Sequence, residues 1–401
     1  MNCCSSAAAA LTPAAKGPFR ASRLTHRYTA STAHPDPHVS ADQKRSDRLN
    51  IGVLGCGPIA QAAHFESCTK ARNATLYAIC DVADDLLARM AITHGATKAY
   101  TTYDEMLSDP VVDAVIIATS DEFHVPAAMQ AVRAGKHVLC EKPVGVSIEE
   151  VDMLRTEAMT HDRQVMVGHM KRFDPGLQAA RHFVRREMGD MLAFKGWYCD
   201  STHRYAVTDA VQPRLVRSTS ARKPVRDPRV DLPRYYMLAH GSHLVDTARF
   251  LCGEIVSVHA TRTQRYGAYC WFIATEFANG AIGHLELTVS VRMDWHEGVQ
   301  IHGEHGSVLA KTYNPWLFKS SDVEIFHEAT ATYTRPLGAD AHFYRRQVEA
   351  FAEALLTGQD VTTTGAAGID DGIAAVRTMV AIVRSVESGE RVRVAAATGA
   401  V

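Results

Sequence analysis

Residues 51–60 read IGVLGCGPIA, an apolar run followed by two closely spaced glycines. Gly55 permits a tight turn from a strand into a helix, and Gly57 lets the backbone approach a pyrophosphate. The final alanine allows close packing of the helix on the strand, and a helix start offers unpaired N–H groups to phosphates. With Pro58 and Ile59 in the same turn, this stretch predicts a dinucleotide-binding site.

Asp81 indicates which dinucleotide this turn would bind. It follows the second predicted strand, where a carboxylate can bind the hydroxyls of a ribose. The same carboxylate would repel a 2′-phosphate, and the next residues, Val82 and Ala83, provide no arginine to bind one. We therefore expect NAD rather than NADP. Alternatively, Asp81 only caps the helix that begins near Ala83, and the preference then stays open.

Short apolar runs alternate with amphipathic stretches after residue 49. This alternation is typical of a parallel sheet with helices on both faces. The run AVIIAT is apolar on both sides, as a central strand of such a sheet must be. We therefore predict a doubly wound α/β Rossmann domain over residues 49–168. The predicted strands are residues 51–55, 75–80, 114–119 and 137–140, and the predicted helices include residues 60–70, 83–93 and 125–134.

The second half of the chain has a different pattern, with long alternating runs typical of antiparallel strands. Asn279 and Gly280 predict a type I′ hairpin turn between two of them. We predict an α+β domain over residues 169–395 with a large, mostly antiparallel open sheet, which binds substrate and joins subunits into a homodimer or homotetramer. Its closing helices should pack back on the body. The predicted strands are residues 192–198, 256–263, 269–278 and 281–289, with a helix at 175–187 and two more near the end.

The composition excludes several classes of protein. The chain has 401 residues, of which 46% are hydrophobic and 22% charged, and its formal net charge is −1. Because 43 basic residues stand against 44 acidic ones, no positive surplus is left to neutralise nucleic-acid phosphates. No apolar run approaches the roughly 20 residues that a membrane-spanning helix needs. We therefore expect neither a nucleic-acid partner nor a membrane span.

Cysteine spacing and the first residues bear on location. The nine cysteines form no C-x-x-C pair, which favours a reducing, cytoplasmic setting over a disulfide framework or a zinc site. The paired histidines 240/243 and 302/305 lack a third ligand, so we expect no metal. Residues 1–48 are rich in Ala, Ser, Thr and Pro without apolar periodicity, and we predict that they are disordered. A transit peptide is the alternative to a simple extension.

A second motif follows the predicted strand 137–140. Glu141, Lys142 and Pro143 stand at the carboxyl end of that strand, and this edge is where α/β sheets bind ligands. An ammonium group there would face the cofactor and substrate rather than bulk solvent. We therefore interpret Lys142 as a functional cation.

Several motifs together resemble the Gfo/Idh/MocA family of oxidoreductases. They are the glycine turn, Asp81, the Glu-Lys-Pro tripeptide, the TSDEFH loop at residues 119–124 and the VGHMKRFDP stretch at residues 167–175. The resemblance covers about residues 49–395. It implies a two-domain NAD(P)-dependent oxidoreductase that acts on sugars, cyclitols or their derivatives.

The resemblance also implies catalytic roles. In that family the lysine of the motif lies against the reacting hydroxyl, and a histidine of the second domain is the acid/base; the matching residues are Lys142 and His243. Chemically, Lys142 can stabilise a developing alkoxide while neutral His243, near the ordinary pKa of ~6.5, takes the proton. Relatives commonly carry an aspartate four residues before this histidine, where this chain has Ala239. His240 is the candidate to share the role and to contact substrate.

Four further residues are candidates for the cleft. Thr119, His124 and Glu141 follow the ends of central strands, and we expect them to line the cofactor site. A helix-capping role is the alternative for His124. Arg172 is expected to reach substrate hydroxyls, and its alternative is a solvent-exposed or ion-paired position. Asp174 is expected to cap the helix that follows it.

Residues 203–234 form an unusual stretch, in which Arg and Lys outnumber Asp and prolines interrupt any periodicity. We predict a long loop. Because arginine forks bind phosphate and carboxylate, an anionic substrate group is one hypothesis, with Arg222 and Arg226 as its test residues. A solvated or subunit-contacting loop is the other.

These patterns predict an NAD-dependent oxidoreductase that interconverts a secondary alcohol and a ketone on a sugar, cyclitol or glycoside by hydride transfer to or from nicotinamide C4. Two alternatives stay open. One is an enzyme that retains its NAD while it oxidises, eliminates and re-reduces a glycoside, as glycosidases resembling this family do. The other is a non-catalytic NAD- and sugar-binding sensor on the same scaffold.

Overall fold

The computed structural model describes residues 47–203, 210–212, 214–221 and 227–401. The predicted disordered segment lies almost wholly outside these residues, as do Arg222 and Arg226. The described residues contain two sheets of seven and nine strands. No helix among them is both long and apolar enough to cross a bilayer.

The first sheet contains the Rossmann strands that the sequence predicts. Its strands are β1 (Leu49–Leu54), β2 (Ala74–Cys80), β3 (Lys98–Tyr100), β4 (Ala114–Ile117), β5 (His137–Cys140), β6 (Val165–Val167) and β15 (Ala367–Gly368). They lie in the order β15-β6-β5-β4-β1-β2-β3, and every pair is parallel except β15 with β6. All four residues of β4 are buried, as its two-sided apolar sequence predicts.

Helices cover this sheet and connect its strands. Their boundaries follow local signals: α5 begins with a capping box of Ser147 and Glu150, and α2 ends at Gly95 with a left-handed backbone. The helices are a π-helical turn (Ala60–His64) that continues into α1 (Phe65–Lys70), α2 (Asp84–His94), α3 (Tyr103–Ser108), α4 (His124–Arg133) and α5 (Ile148–Thr160).

The second sheet is mostly antiparallel, which confirms the predicted class of this half. Its strands are β7 (Met191–Ser201), β8 (Ile255–Arg265), β9 (Ala268–Phe277), β10 (Ile282–Val291), β11 (His296–Gly303), β12 (Gly306–Thr312), β13 (Asp322–His327), β14 (Thr332–Thr334) and β16 (Val392–Arg393). The order is β14-β13-β12-β11-β7-β10-β9-β8-β16, with β7 and β10 paired in parallel.

The turn between β9 and β10 corrects one prediction. The hairpin is present, but Gly280 has a φ of +87° whereas Asn279 is not in the left-handed region, so the turn is not type I′. The N–H of Gly280 donates to Phe277 O at 2.9 Å, and the N–H of Phe277 donates to Ala281 O at 2.9 Å. This is the three-residue loop in which a glycine follows the turn as a bulge.

The helices of the second half pack on both sheets. Asp174 caps α6 by accepting a hydrogen bond from the Gly176 N–H, as predicted. Near the end of the chain, Val348 and Phe351 of α9 join the core beside β1 and β2, so the chain returns to the first sheet. The helices are α6 (Pro175–Arg186), α7 (Leu232–Tyr236), a π-helical turn (Met237–Gly241), α8 (Ser242–Cys252), α9 (Phe343–Thr357) and α10 (Ile369–Ser388).

Candidate active site

The glycine turn after β1 has the geometry that a pyrophosphate requires. Gly55 has a φ of +94°, and a Cβ there would lie 2.9 Å from Ala118 O, so a larger residue does not fit. A Cβ on Gly57 would meet only Ala118 O, at 4.0 Å, which leaves that side of the backbone open. Pro58 is exposed and Ile59 half-buried beside it. The turn therefore fits the phosphates of a dinucleotide.

Asp81 lies next to this turn. Its Oδ2 accepts a hydrogen bond from the Cys56 N–H at 2.7 Å, and its Oδ1 accepts one from the Ala83 N–H at 2.9 Å. Each carboxylate oxygen has a second lone pair, so these bonds orient the group without using up its capacity for ribose hydroxyls. Helix α2 begins after Ala83, and its N-cap position has no side-chain hydrogen bond.

His124 joins two loops at the carboxyl edge of the sheet. Its imidazole is buried, with Nδ1 2.7 Å from Pro143 O and Nε2 3.2 Å from Thr119 O. The side chain does not cap α4. Thr119 itself is half-buried at the end of β4. The geometry thus gives His124 a positioning role, because it fixes the loop after β4 against the loop after β5.

Glu141 is buried and anchors the helix that follows the glycine turn. Its Oε1 lies 2.8 Å from His64 Nε2, and its Oε2 accepts from the Lys142 N–H at 3.2 Å. Burial opposes ionisation, but the hydrogen bond and charge of His64, together with Lys142, hold the pKa of Glu141 below its usual range. His64 carries no sequence signal, since its partner is 77 residues away.

Lys142 connects the two halves of the site. It is half-buried beyond β5, and its Nζ donates to Ala239 O at 3.0 Å. The Lys142–Pro143 peptide bond is cis. Ala239 lies in the π-helical turn that precedes α8, so the ammonium group reaches from the edge of the first sheet to the helix that carries His243.

His243 lies at the start of α8 with its ring parallel to that of Tyr198. The ring centroids are 6.1 Å apart and the planes differ by 3°. The pKa of His243 lies well below its ordinary value of 6.5, because burial and the positive charges of Lys142 and Lys171 disfavour a second proton. His243 is partly exposed to solvent, but the charges of the two lysines by themselves also lower its pKa. The imidazole is therefore neutral at physiological pH.

His240 precedes His243 by three residues, and it contacts a carboxylate from a strand. Asp200 of β7 places its Oδ2 3.3 Å from His240 Nε2, and the other ring nitrogen of His240 is 3.1 Å from the Tyr198 hydroxyl. Tyr198 in turn stacks on His243. Position 239 is an alanine, and the carboxylate next to His240 comes from Asp200. Tyr198 had no signal in the sequence beyond the predicted strand 192–198, and Asp200 lies past the end of that prediction.

Lys171 and Glu297 form a buried ion pair next to the same tyrosine. Their side chains contact each other, and Lys171 Nζ lies 4.6 Å from the centroid of the Tyr198 ring. Burial lowers the pKa of Lys171 and raises that of Glu297. The lysine belongs to the VGHMKRFDP stretch, but nothing in the sequence indicates that a residue 126 positions later is its partner.

Arg172 lies among carboxylates of the protein itself. It is 6% exposed and donates to both oxygens of Asp246, to Asp371 and to Ala366 O. The two carboxylates outweigh burial and raise the pKa of Arg172. Nearby His169 is buried and its pKa is lowered to about 4, mainly by burial. The ion-paired alternative for Arg172 fits this geometry, and its donors are occupied by groups of the protein.

Two family models match this chain. One is described as oxidoreductase family, NAD-binding Rossmann fold, over residues 49–169, and the other as the C-terminal alpha/beta domain of that family, over residues 236–394. Together they span more than half of the chain. The chain belongs to the Gfo/Idh/MocA oxidoreductase family. Family membership confirms the predicted fold, the NAD-binding domain and the oxidoreductase class.

Curated members of the family align over most of their length. Inositol 2-dehydrogenase 2 of Saccharopolyspora erythraea is 28% identical over 85% of this chain and 94% of its own, and inositol 2-dehydrogenase of Rhizobium meliloti is 26% identical over 86% and 99%. Among solved Gfo/Idh/MocA-like structures, an NAD binding oxidoreductase from Klebsiella pneumoniae gives a TM-score of 0.73 at 21% identity, over 87% of this chain and 99% of its own. A levoglucosan dehydrogenase in complex with NADH gives 0.69 at 22%, over 86% and 99%. These structures share the fold.

Proposed function

We propose that this protein is an NAD-dependent dehydrogenase that oxidises a secondary alcohol of a sugar or cyclitol to a ketone, or reduces the ketone in reverse. One observation carries the proposal: the Lys142 ammonium at the carboxyl edge of the Rossmann sheet reaches the helix turn beside neutral His243. The aligned inositol 2-dehydrogenases support the substrate class.

The chemistry divides between cofactor and protein. Bound NAD supplies a hydride acceptor at nicotinamide C4. As the substrate C–H bond gives up its electron pair as hydride, the hydroxyl proton must also leave, so that alcohol becomes ketone. Lys142 stabilises the developing negative charge on the substrate oxygen, and neutral His243 accepts the proton. In the reducing direction, protonated His243 returns that proton.

The residues around His243 fix its state. Burial, together with the charges of Lys142 and Lys171, lowers the pKa of His243 and keeps it unprotonated, so it is ready to act as a base before substrate binds. Tyr198 holds the plane of the ring by stacking, and the Asp200–His240 pair holds Tyr198 through its hydroxyl. Asp200 and His240 are therefore positioning residues in this proposal.

NAD is the expected coenzyme over NADP because Asp81 is held toward the glycine turn by the Cys56 N–H. A carboxylate at this position favours ribose hydroxyls and disfavours a 2′-phosphate. Comparison of kcat/KM for NAD and NADP tests this. A preference for NADP would contradict it.

The outer face of the second sheet supports assembly into a homodimer or homotetramer. Phe272 of β9, Ile282 of β10 and Leu309 of β12 each have about half of the side chain exposed. Exposed apolar side chains on the face of a sheet are candidate contacts between subunits. Sedimentation of the protein, with Phe272→Glu as the variant that should dissociate it, tests this interface.

A cytoplasmic location is also part of the proposal, and cell fractionation tests it.

Lys142→Ala is the decisive variant for the mechanism. It should bind NAD with little change yet lose kcat by about 10²- to 10³-fold, because the charge that stabilises the alkoxide is gone. NADH formation from a panel of cyclitols and sugars measures kcat, and fluorescence titration measures NAD affinity. Lys136→Met, at the other end of β5, is the matched control and should keep kcat.

Unchanged turnover in Lys142→Ala would refute the mechanism. Release of a leaving group from a glycoside without net NADH would instead favour the enzyme that retains its NAD. Tight NAD binding with no turnover on any polyol would favour the sensor.

A further inference from the structure

An open surface pocket of about 550 Å³ lies away from the glycine turn, between α6, the end of α8 and residues 363–365, and Arg185 and Arg186 of its lining are exposed to solvent. We call it the arginine pocket. Its lining contains three arginines and a histidine, and no Asp or Glu. The lining residues are Gln178, Arg181, His182, Arg185, Arg186, Phe250, Thr363, Thr364 and Gly365.

Two of the guanidinium groups are held at one backbone oxygen. Arg181 Nε donates to Phe250 O at 3.2 Å, and its guanidinium lies over the Phe250 ring at 4.6 Å from the centroid. Arg185 donates to the same oxygen at 3.4 Å. Burial and the charges of Arg185 and Arg172 lower the pKa of Arg181, and the charge of Asp371 acts in the opposite direction.

Within the described part of the chain, the three pocket arginines have no carboxylate within 4.0 Å. Three arginines elsewhere are paired with a carboxylate: Arg172 with Asp246, Arg249 with Glu254, and Arg345 with Glu349. The partly buried Arg234 and Arg346 instead donate to carbonyl and amide oxygens of the protein. His182 alone approaches an acid, Glu187, at 3.7 Å. The pocket is thus a local positive excess in a chain whose net charge is −1.

The helix end explains only part of this arrangement. Cations in the last turn of a helix interact favourably with its dipole, which accounts for Arg185 and Arg186. It does not account for Arg181, one turn earlier, or for the side of the pocket formed by residues 363–365. At Gly365 an added Cβ would meet nothing within 4 Å, so this wall leaves space rather than filling it.

We propose that the arginine pocket binds a small phosphate-bearing anion. Guanidinium forks match phosphate oxygens in pairs, and a phosphate would supply the negative charge that the pocket lacks. The volume falls within the range of roughly 300–1,000 Å³ for small-molecule sites, which suits a compact phosphate ester. This site uses none of the residues assigned to dehydrogenation, so it stands whether or not that function is correct.

Calorimetric titration of NAD-saturated protein with inorganic pyrophosphate tests the site, because NAD then fills the glycine turn. One saturable site per chain is expected. Arg181→Met/Arg185→Met should weaken binding by about 10- to 100-fold, and Arg186→Ala by about 3- to 10-fold, since each removes a charge-assisted hydrogen bond. Arg262→Ala/Arg265→Ala removes two exposed charges on β8 and is the matched control, with an expected change below about two-fold.

Circular dichroism confirms that each variant is folded, and Arg186→Ala keeps the test valid if the double variant unfolds, because no described hydrogen bond holds its side chain. The proposal fails if no saturable heat is seen up to about 10 mM pyrophosphate, a range that covers weak sites. It also fails if the control weakens binding as much as the pocket variants do. If the pocket variants dissociate an oligomer in sedimentation without changing pyrophosphate affinity, the pocket is a contact between copies and the proposal is wrong.

Discussion

Two lysines flank the short strand β5, and their surroundings differ. Lys136, at the amino end, is buried and donates to Asp109 O at 2.8 Å and to Val112 O at 2.7 Å, two carbonyls of a loop on its own sheet. Lys142, beyond the carboxyl end, is half-buried and reaches the backbone of Ala239, 97 residues away. The first cation closes a local loop, whereas the second connects two parts of a cleft. Stability should depend on the first and turnover on the second.

The arginines divide in the same way. Arg172 is surrounded by carboxylates and carbonyls that the protein itself provides, whereas the arginine pocket has no acid of its own. A charged side chain whose acceptors are all internal contributes to the fold. A charged side chain that lacks internal acceptors, or whose acceptor lies in a cleft, is a better candidate for ligand binding.

Among the variants expected to affect turnover, His243→Asn should have the largest effect. Loss of the base should lower kcat by about 10²- to 10⁴-fold with little change in NAD affinity. The pH profile sharpens the test: because the pKa of His243 lies well below 6.5 and only the neutral ring accepts a proton, wild-type kcat/KM for oxidation should stay level through pH 6.5 and fall only at distinctly lower pH. A wild-type decline centred above pH 7 would contradict the role given to the two lysines.

Arg172→Met should act on stability. Removing one partner leaves Asp246 buried without its cation, which typically costs about 3–5 kcal/mol in the free energy of unfolding. Urea unfolding measures this loss. Arg155→Met, which breaks an exposed pair with Asp370, is the control and should cost less than about 1 kcal/mol. If Arg172→Met is fully stable but has a raised KM for substrate, the substrate-binding expectation for Arg172 is restored.

Lys136→Met should lower the free energy of unfolding by about 1–3 kcal/mol, because one buried and one partly buried carbonyl lose their donor. Its kcat per folded molecule should be unchanged. Thermal unfolding and active-site titration measure the two quantities separately. A variant that keeps its stability and loses turnover would reverse the assignment of the two lysines.

Asp200→Asn should have the smallest effect, about a ten-fold loss of kcat, since the change acts on His243 through His240 and Tyr198. NAD affinity should not change. Asp190→Asn, just before the same strand and exposed, is the control. A loss confined to KM for substrate would make Asp200 a substrate ligand rather than a positioning residue.

Local patterns predicted what depends on neighbours in sequence. The apolar runs gave the strands β1, β2, β4 and β5, and the glycine turn and the Asp174 cap follow from residues a few positions apart. The predicted type I′ turn at Asn279 and Gly280 was wrong, because an Asn-Gly pair also suits a longer loop. Even a correct dipeptide signal therefore leaves the exact turn open.

Distant pairings could not be predicted from one sequence. Arg172 meets Asp246 and Asp371 across 74 and 199 residues, and such partners decide whether an arginine is structural. The Asp200–His240 pair shows the same limit, because the two residues lie on a strand and on a helical turn 40 positions apart in the sequence. The site residues on the sheet edge were recognisable, whereas those contributed by the second sheet were not.

The edge strand β15 has a consequence for any shortened form of the protein. Residues 367–368 pair with β6 through Ala367 opposite Val167 and Gly368 opposite Met166, so the first sheet is completed by chain from near the far end of the sequence. A fragment that stops after residue 168 would retain the glycine turn but leave the backbone of β6 uncovered, and it would also lose the packing of α9. Unprotected strands of this kind recruit other chains. Such a fragment should self-associate, whereas adding back residues 341–368 as a separate peptide should restore a discrete particle.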